Sequence, residues 1–142
     1  MITKYCEGFI FTPDYRKILL IEKNRPAKLA GLLNGIGGHI EEGETSLEAI
    51  VRETLEETGL VIPEENWQYF CKLSNPVNET DIDFWYTTYP DLNDAQELTD
   101  EHLVITDVEY LEGVVPNLKW LLPLCLDFGV AKGITFTSYG EY

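Results

Sequence analysis

Glu53, Glu56 and Glu57 stand at spacing i, i+3 and i+4, a separation that on an α-helix projects side chains into one patch. Three converging carboxylates suit Mg²⁺, which takes oxygen ligands, keeps several waters and is often shared with substrate phosphates. Spacing alone equally describes a solvated acidic face, as most charge runs are. The patch works against its own helix. It lies in the C-terminal half, where the macrodipole favours cations, and Glu53 with Glu57 is a like-charge i,i+4 pair; each feature costs on the order of tenths of a kcal/mol. Arg52 can reach Glu56, but arginine preceding glutamate is the poorer order for an exposed pair. Its better use is to orient that carboxylate.

The element carrying these residues is well marked. Thr45 is an N-cap, Glu48 completes a capping box and Gly59 is a C-terminal stop, which predicts a helix over 46–58, the cap contributing about 1 kcal/mol. Turned at 3.6 residues per turn, the helix gathers Leu47, Ile50, Val51, Thr54 and Thr58 on a face expected to pack on a sheet. The carboxylates are expected opposite, with Ala49 bordering them and leaving room. Upstream, 23–39 contains Pro26, Gly31, Gly35, Gly37 and Gly38, a loop expected to return to the sheet near its end.

From Gly38 to Leu60 the chain reads GHIEEGETSLEAIVRETLEETGL, which closely resembles the Nudix box. That box takes a glycine, a glutamate after five residues, and after seven more the run R-E-U-x-E-E-x-G-U, U being bulky and aliphatic. Gly38, Glu44, Arg52, Glu53, Glu56, Glu57, Gly59 and Leu60 match. Thr54 departs from an aliphatic U, and is expected only to weaken packing on that face. So many specified positions at fixed spacing rarely coincide, unlike an isolated glycine motif.

The resemblance implies an α/β fold, the Nudix-type α/β/α sandwich with a mixed β-sheet. It implies that Glu53, Glu56 and Glu57 hold Mg²⁺, with Mn²⁺ as a substitute, and that the Gly37 carbonyl completes the cage. Glu44 would support this shell and Arg52 orient a helix glutamate. The metal would neutralise phosphate charge and help ionise water, a glutamate of the patch would position or deprotonate that water, and in-line attack on phosphorus would split a pyrophosphate. Many family members recruit a further glutamate from a later loop; Glu101 is the first candidate and Glu97 the second, although either can be a solvated loop carboxylate.

Asn34-Gly35-Ile36-Gly37-Gly38 resembles the N-G-x-G-G form of Nudix enzymes that sanitise oxidised purine nucleoside triphosphates, where the asparagine contacts the base. Asn-Gly is also a common tight-turn dipeptide. Leu33 stands where tryptophan is frequent, and Val114-Val115-Pro116-Asn117 lacks that branch's tryptophan and paired aspartates, Asn117 alone being able to replace one of them. Pro76 resembles the proline marker of ADP-ribose pyrophosphatases, or is an ordinary turn proline. Lys23, Arg25 and Lys28 could meet phosphates, and Asn34, Lys23 and Gly38 are the expected substrate contacts. Trp85, Tyr86 and Trp120 could stack on a base but are more often core, so no site role is assigned to them. His39 occupies a variable box position, and His102 has no evident partner. Asp91-Leu92-Asn93-Asp94 begins like a calcium loop but lacks its glycine and terminal glutamate. Three functions follow: a nucleoside triphosphate pyrophosphohydrolase, an ADP-ribose or nucleotide-sugar pyrophosphatase, or a non-catalytic nucleotide-sensing module.

Composition agrees with a small-molecule enzyme. The 142 residues carry 25 acidic and 10 basic side chains, a formal charge of -15, which repels nucleic-acid backbones and anionic membranes. A phosphorylated substrate is compatible if a cation bridges it to the protein. Cys6, Cys71 and Cys125 are odd in number and widely separated, as suits buried free thiols in a reducing compartment. The N-terminus lacks a signal-peptide apolar region and no apolar run reaches membrane-spanning length, so a cytoplasmic protein is expected. A single domain is expected over 1–142. Its strands are expected at 5–11 and 18–22 as a hairpin, at 68–73 and 81–89, and near 108–111, with a loop over 91–101. A second helix is expected over 117–128, which Pro123 could kink or shorten, and 133–139 is expected as a last strand or an ordered arm.

Overall fold

The computed structural model describes residues 1–128 and 132–140. Its centre is β1 (Thr3–Phe11), which pairs in parallel with β6 (Thr80–Thr88) from Thr3↔Thr80 to Phe11↔Thr88. The expected hairpin joins β1 to β2 (Lys17–Glu22); in its turn Asp14 Oδ1 accepts from Thr12 Oγ1 and from the Arg16 N–H. The glycine-rich segment returns to the sheet as expected, first as β3 (Leu33–Asn34) on β2, then as β4 (Ile36–His39) antiparallel to the first half of β1. β5 (Gln68–Asn75) pairs antiparallel with β6, and β8 (Ile134–Thr137) parallel with β5. The tail therefore forms a strand, and the sheet is mixed.

The strand expected near 108–111 lies earlier, as β7 (Leu103–Asp107) on the outer side of β2. The β-branched run Val104-Ile105-Thr106 supplies the ladder, and Lys17 pairs with Asp107 at its end, 3.2 Å apart. Residues 108–111 instead leave the sheet through a turn in which the Tyr110 N–H reaches the Asp107 carbonyl.

α1 (Ser46–Thr58) has the expected boundaries and both caps: Thr45 Oγ1 accepts from the Glu48 N–H, Glu48 Oε1 accepts from the Thr45 N–H, and Gly59 closes the helix at φ 74°, a conformation glycine adopts at little cost. α2 (Leu118–Leu126) is shorter than expected and includes Pro123. No side chain caps its N-terminus. Its far end is held by Lys132 Nζ, which donates to the carbonyls of Leu124, Cys125 and Asp127.

The helices cover opposite faces of the sheet. Because side chains alternate along a strand, β1 sends Cys6 and Ile10 into the core under α1 and Phe9 and Phe11 into the core under α2. This is the expected α/β/α sandwich. Burial pushes the thiols of Cys6, Cys71 and Cys125 up to about 12; all three are free and buried. Among the described residues no helix is long and apolar enough to cross a membrane.

Candidate active site

α1 is rolled toward its carboxylates. Its buried residues are Ala49, Ile50, Thr54, Glu57 and Thr58, whereas Leu47 and Val51 are half-buried and Leu55 is exposed. Glu57 thus belongs to the sheet-facing stripe instead of the opposite side, and Ala49 is core instead of a gap beside the patch. Glycines permit this approach. A Cβ on Gly8 would lie 2.8 Å from Ile50 Cδ1, and one on Gly38 only 2.6 Å from Glu53 Oε1. A Cβ on Gly37 would run into the Cys6 carbonyl. The bare backbone of β4 is the surface against which Glu53 rests. Thr54 is fully buried, and its hydroxyl has no partner among the described residues, so the departure from an aliphatic residue does more than weaken packing.

Arg52 organises the cluster. Its Nε and one Nη donate to the two oxygens of Glu44 at 2.7 and 2.9 Å, that Nη also to the His39 carbonyl at 3.0 Å, and the other Nη to Glu53 Oε1 and Glu56 Oε2 at 3.0 and 3.1 Å. Those bonds use every N–H of a guanidinium. Arg52, helped by the Glu41 N–H, holds the Glu44 carboxyl down at about 2. Glu57 is pushed the other way, well above the carboxylate range, by burial first and then by Glu53 beside it. Lys23 opposes that shift and Glu101 adds to it. Glu101 accepts from the Asn24 N–H at 2.7 Å and lies 3.6 Å from Lys23 Nζ. It is therefore brought to the site. Glu97 is not: it accepts from the Leu103 N–H and faces His102 at 3.3 Å, which also gives His102 the partner its sequence did not reveal.

Among the described residues no three acidic, histidine or cysteine side chains form a ready-made metal cage. Of the expected triad, Glu56 shares one Arg52 Nη with Glu53 but is 56% exposed at its side chain, whereas Glu57 is buried. The donor chemistry nevertheless fits a divalent cation. Glu53 and Glu57 crowd each other with hard oxygen donors at 14% side-chain and 9% residue exposure, respectively, and Mg²⁺ commonly binds through one or two carboxylates plus substrate phosphates.

A cavity of about 600 Å³ opens beside this cluster, with Lys23, Asn34, Gly37 and Gly38 in its wall. Arg25 and Lys28 also line it, Arg25 being paired with Asp100 at 3.2 Å. Asn34 both lines the cavity and makes a turn contact, its Oδ1 accepting from the Gly35 N–H at 2.9 Å. Pro76 sits in the β5–β6 turn, where Asn75 Oδ1 accepts from the Val77 and Asn78 N–H groups. Trp85, Tyr86 and Trp120 are outside the cavity wall; the Trp85 Nε1–H donates to Ser46 Oγ and the Tyr86 hydroxyl to Gln68.

Two further polar groups stand in the wall: Glu7, which escaped the sequence reading of the site, and Asn117, which was expected only as a replacement for one aspartate. Glu7 is 8% exposed and its Oε2 has no hydrogen-bond partner among the described residues. Burial pushes its carboxyl up to about 7, although the Gly35 N–H, Lys23 and Asn34 ease its ionisation. Asn117 Oδ1 is likewise buried and has no hydrogen-bond partner among the described residues. The available signal for Glu7 was phase: it falls in step with Phe9 and Phe11 on a strand face that is otherwise core.

A family model described as NUDIX domain matches residues 8–120. A search of curated protein sequences returns no match. Among solved structures, a NUDIX hydrolase from Nitrosomonas europaea is 14% identical with a TM-score of 0.75, the match covering 98% of this chain and 80% of that one. A MutT NUDIX hydrolase from Burkholderia pseudomallei is 18% identical at 0.73, covering 87% and 98%. A MutT/nudix family protein from Enterococcus faecalis is 18% identical at 0.64; 75% of this chain is covered but only 44% of that one, so this chain spans less than half its length. At these identities the likeness is one of fold.

Proposed function

The chain belongs to the NUDIX domain family, and from that premise we propose that it is a Mg²⁺-dependent single-domain pyrophosphohydrolase acting on a nucleoside triphosphate. The observation that carries the reading is the junction of two parts. The Glu53–Glu57 pair, braced by Arg52, adjoins a cavity whose wall contains Lys23 and Asn34. Glu53 and Glu57 would hold the ion, with Glu56 and the Gly37 carbonyl as further ligands; Mn²⁺ would substitute. When bound, the ion supplies neutralisation of phosphate charge and a lower pKa for water.

Within that arrangement the protein's residues have separate tasks. Arg52 fixes Glu53 and Glu56 through one Nη, while Glu44 and the His39 carbonyl fix Arg52. The pair Glu53–Glu57 receives the proton of the attacking water. Lys23 meets phosphate oxygens, and Glu101, within reach of Lys23, sets where its ammonium sits. Asn34 and Gly38 line the path to the base.

The test is product analysis across nucleoside triphosphates, oxidised purines included, and ADP-ribose, with and without Mg²⁺. A triphosphate should yield a monophosphate and pyrophosphate only when the metal is present. Preferred cleavage of ADP-ribose to AMP and ribose phosphate replaces this reading with the sugar-nucleotide one. Tight nucleotide binding without turnover replaces it with a sensor.

A further inference from the structure

We infer that Glu7 sets base specificity by accepting a hydrogen bond from an exocyclic amino group of the substrate; this rests on reading the cavity as a nucleotide site. Glu7 projects from the α2-side face of β1, in phase with Phe9 and Phe11, and lines the cavity. It is more than nine-tenths buried, yet Oε2 has no partner among the described residues. The backbone beside it has made space for the carboxyl: a Cβ on Gly35 would stand 2.8 Å from Glu7 Cγ and 2.9 Å from Oε2. The Gly35 N–H, engaged by Asn34 Oδ1, and the Asn34 side chain ease the ionisation of Glu7 without completing a hydrogen bond to Oε2, and Lys23 Nζ is paired with Glu101.

An orphan buried acceptor destabilises a fold, and a valine in its place would extend the apolar face of Phe9 and Phe11. The cavity wall contains apolar Leu73, Ile82 and Val115, and none of its polar side chains reaches Oε2 among the described residues. A carboxyl oxygen accepts whether or not the group is ionised, so the complementary ligand group is an N–H. On a nucleobase the exocyclic amine is the group a carboxylate ordinarily takes. A site built around a hydrogen-bonding group rejects analogues lacking it far more strongly than an apolar pocket rejects a change of size.

Matched bases that differ only in the amine test this: guanine against hypoxanthine, and adenine against unsubstituted purine. Dissociation constants are measured with the nucleoside monophosphates and kcat/KM with the triphosphates. Wild type should favour the amino member of at least one pair by about tenfold to a hundredfold. Glu7→Val should erase that preference while raising Tm, a combination that a merely structural residue does not give. If Glu7→Val does not fold, Glu7→Met, which keeps the length of the side chain without its carboxyl acceptor, must reduce the preference. Indifference of the wild type to both pairs, or a preference that persists in the folded variant, overturns the assignment. Glu7-dependent selectivity in binding without hydrolysis would remove the catalytic reading and leave Glu7 in place. Hydrolysis with Glu7-independent selectivity would do the reverse, and absence of any nucleotide binding overturns both.

Discussion

Glu57 and Glu7 are both buried carboxyls whose ionisation is suppressed chiefly by desolvation, and they serve opposite faces of one sheet. Glu57 is set in company, with Glu53 beside it, Arg52 anchoring Glu53, and Lys23 and Glu101 close enough to shift its proton. Glu7 has an oxygen with no hydrogen-bond partner among the described residues. The α1 face therefore concentrates charge that a cation can resolve, which suits phosphate chemistry. The α2 face keeps unpartnered acceptors in reserve, Glu7 Oε2 and Asn117 Oδ1 among the described residues, which suits recognition of donor groups on a ligand. What separates them is whether the surrounding chain already supplies the counterpart.

The largest effect expected from that contrast is at Glu57. Glu57→Gln should lower kcat by about 10²–10⁴-fold, the range for loss of a positioned acid–base group, while Tm holds or rises because a buried carboxyl no longer faces Glu53. Paired kinetics and thermal melts check this. A parallel fall in Tm would mean that Glu57 is structural and would erase the distinction between the two faces.

Two neighbouring glycines sharpen the same contrast. At Gly37 a Cβ meets the Cys6 backbone, which cannot move without disturbing β1, so Gly37→Ala should cost about 1–3 kcal/mol of stability. At Gly38 the obstacle is only the end of the Glu53 side chain. Gly38→Ala should leave Tm nearly unchanged but displace that carboxylate, and displacement on the order of 1 Å can cost about 10²-fold in rate. Denaturation and kcat/KM measured together separate the two; equal losses of stability at both positions would show that Glu53 is not free to yield.

Much of this organisation was legible in the chain. The caps Thr45, Glu48 and Gly59 are local interactions, so α1 was readable to its ends. The turn residues Pro13 and Asp14 between two strand-like runs gave the hairpin, and the box residues gave Arg52 its place beside the helix glutamates. The roll of α1 was not legible, because it depends on Gly8 and Gly38 letting the helix settle toward the sheet on the carboxylate side. β7 was misplaced because Leu103–Asp107 follows an acidic stretch and gains its ladder from β2, far away in sequence. Glu7 was hidden for the same kind of reason. Its phase with Phe9 and Phe11 marks it as an acidic residue on a core face, but a site role needs the cavity beside it and the missing partner.

The smallest effect concerns Glu44, the carboxylate that Arg52 holds down instead of pushing up. Its ordinary value of 4.5 falls to about 2 in the fold. Between those values the unfolded chain binds a proton that the folded chain refuses, so stability rises with pH across that window. The contribution is complete above about pH 4.5 and disappears as the pH falls toward 2. Glu44→Gln, which cannot ionise, should therefore flatten this part of the acid limb, lying below wild type in Tm above pH 4.5 and converging with it near pH 2. Glu57 and Glu7, shifted upward, act in the opposite direction: their unfolded forms ionise first, so they remove stability as the pH rises from 4.5. Both remain in the Glu44 variant, so the difference between the two melting profiles isolates the Arg52 pair. The pair is partly open to solvent, and 1 M salt should shrink the difference. A gap unchanged between pH 2 and 5 would show that Arg52 gains nothing from the charge of Glu44 and is held by shape alone.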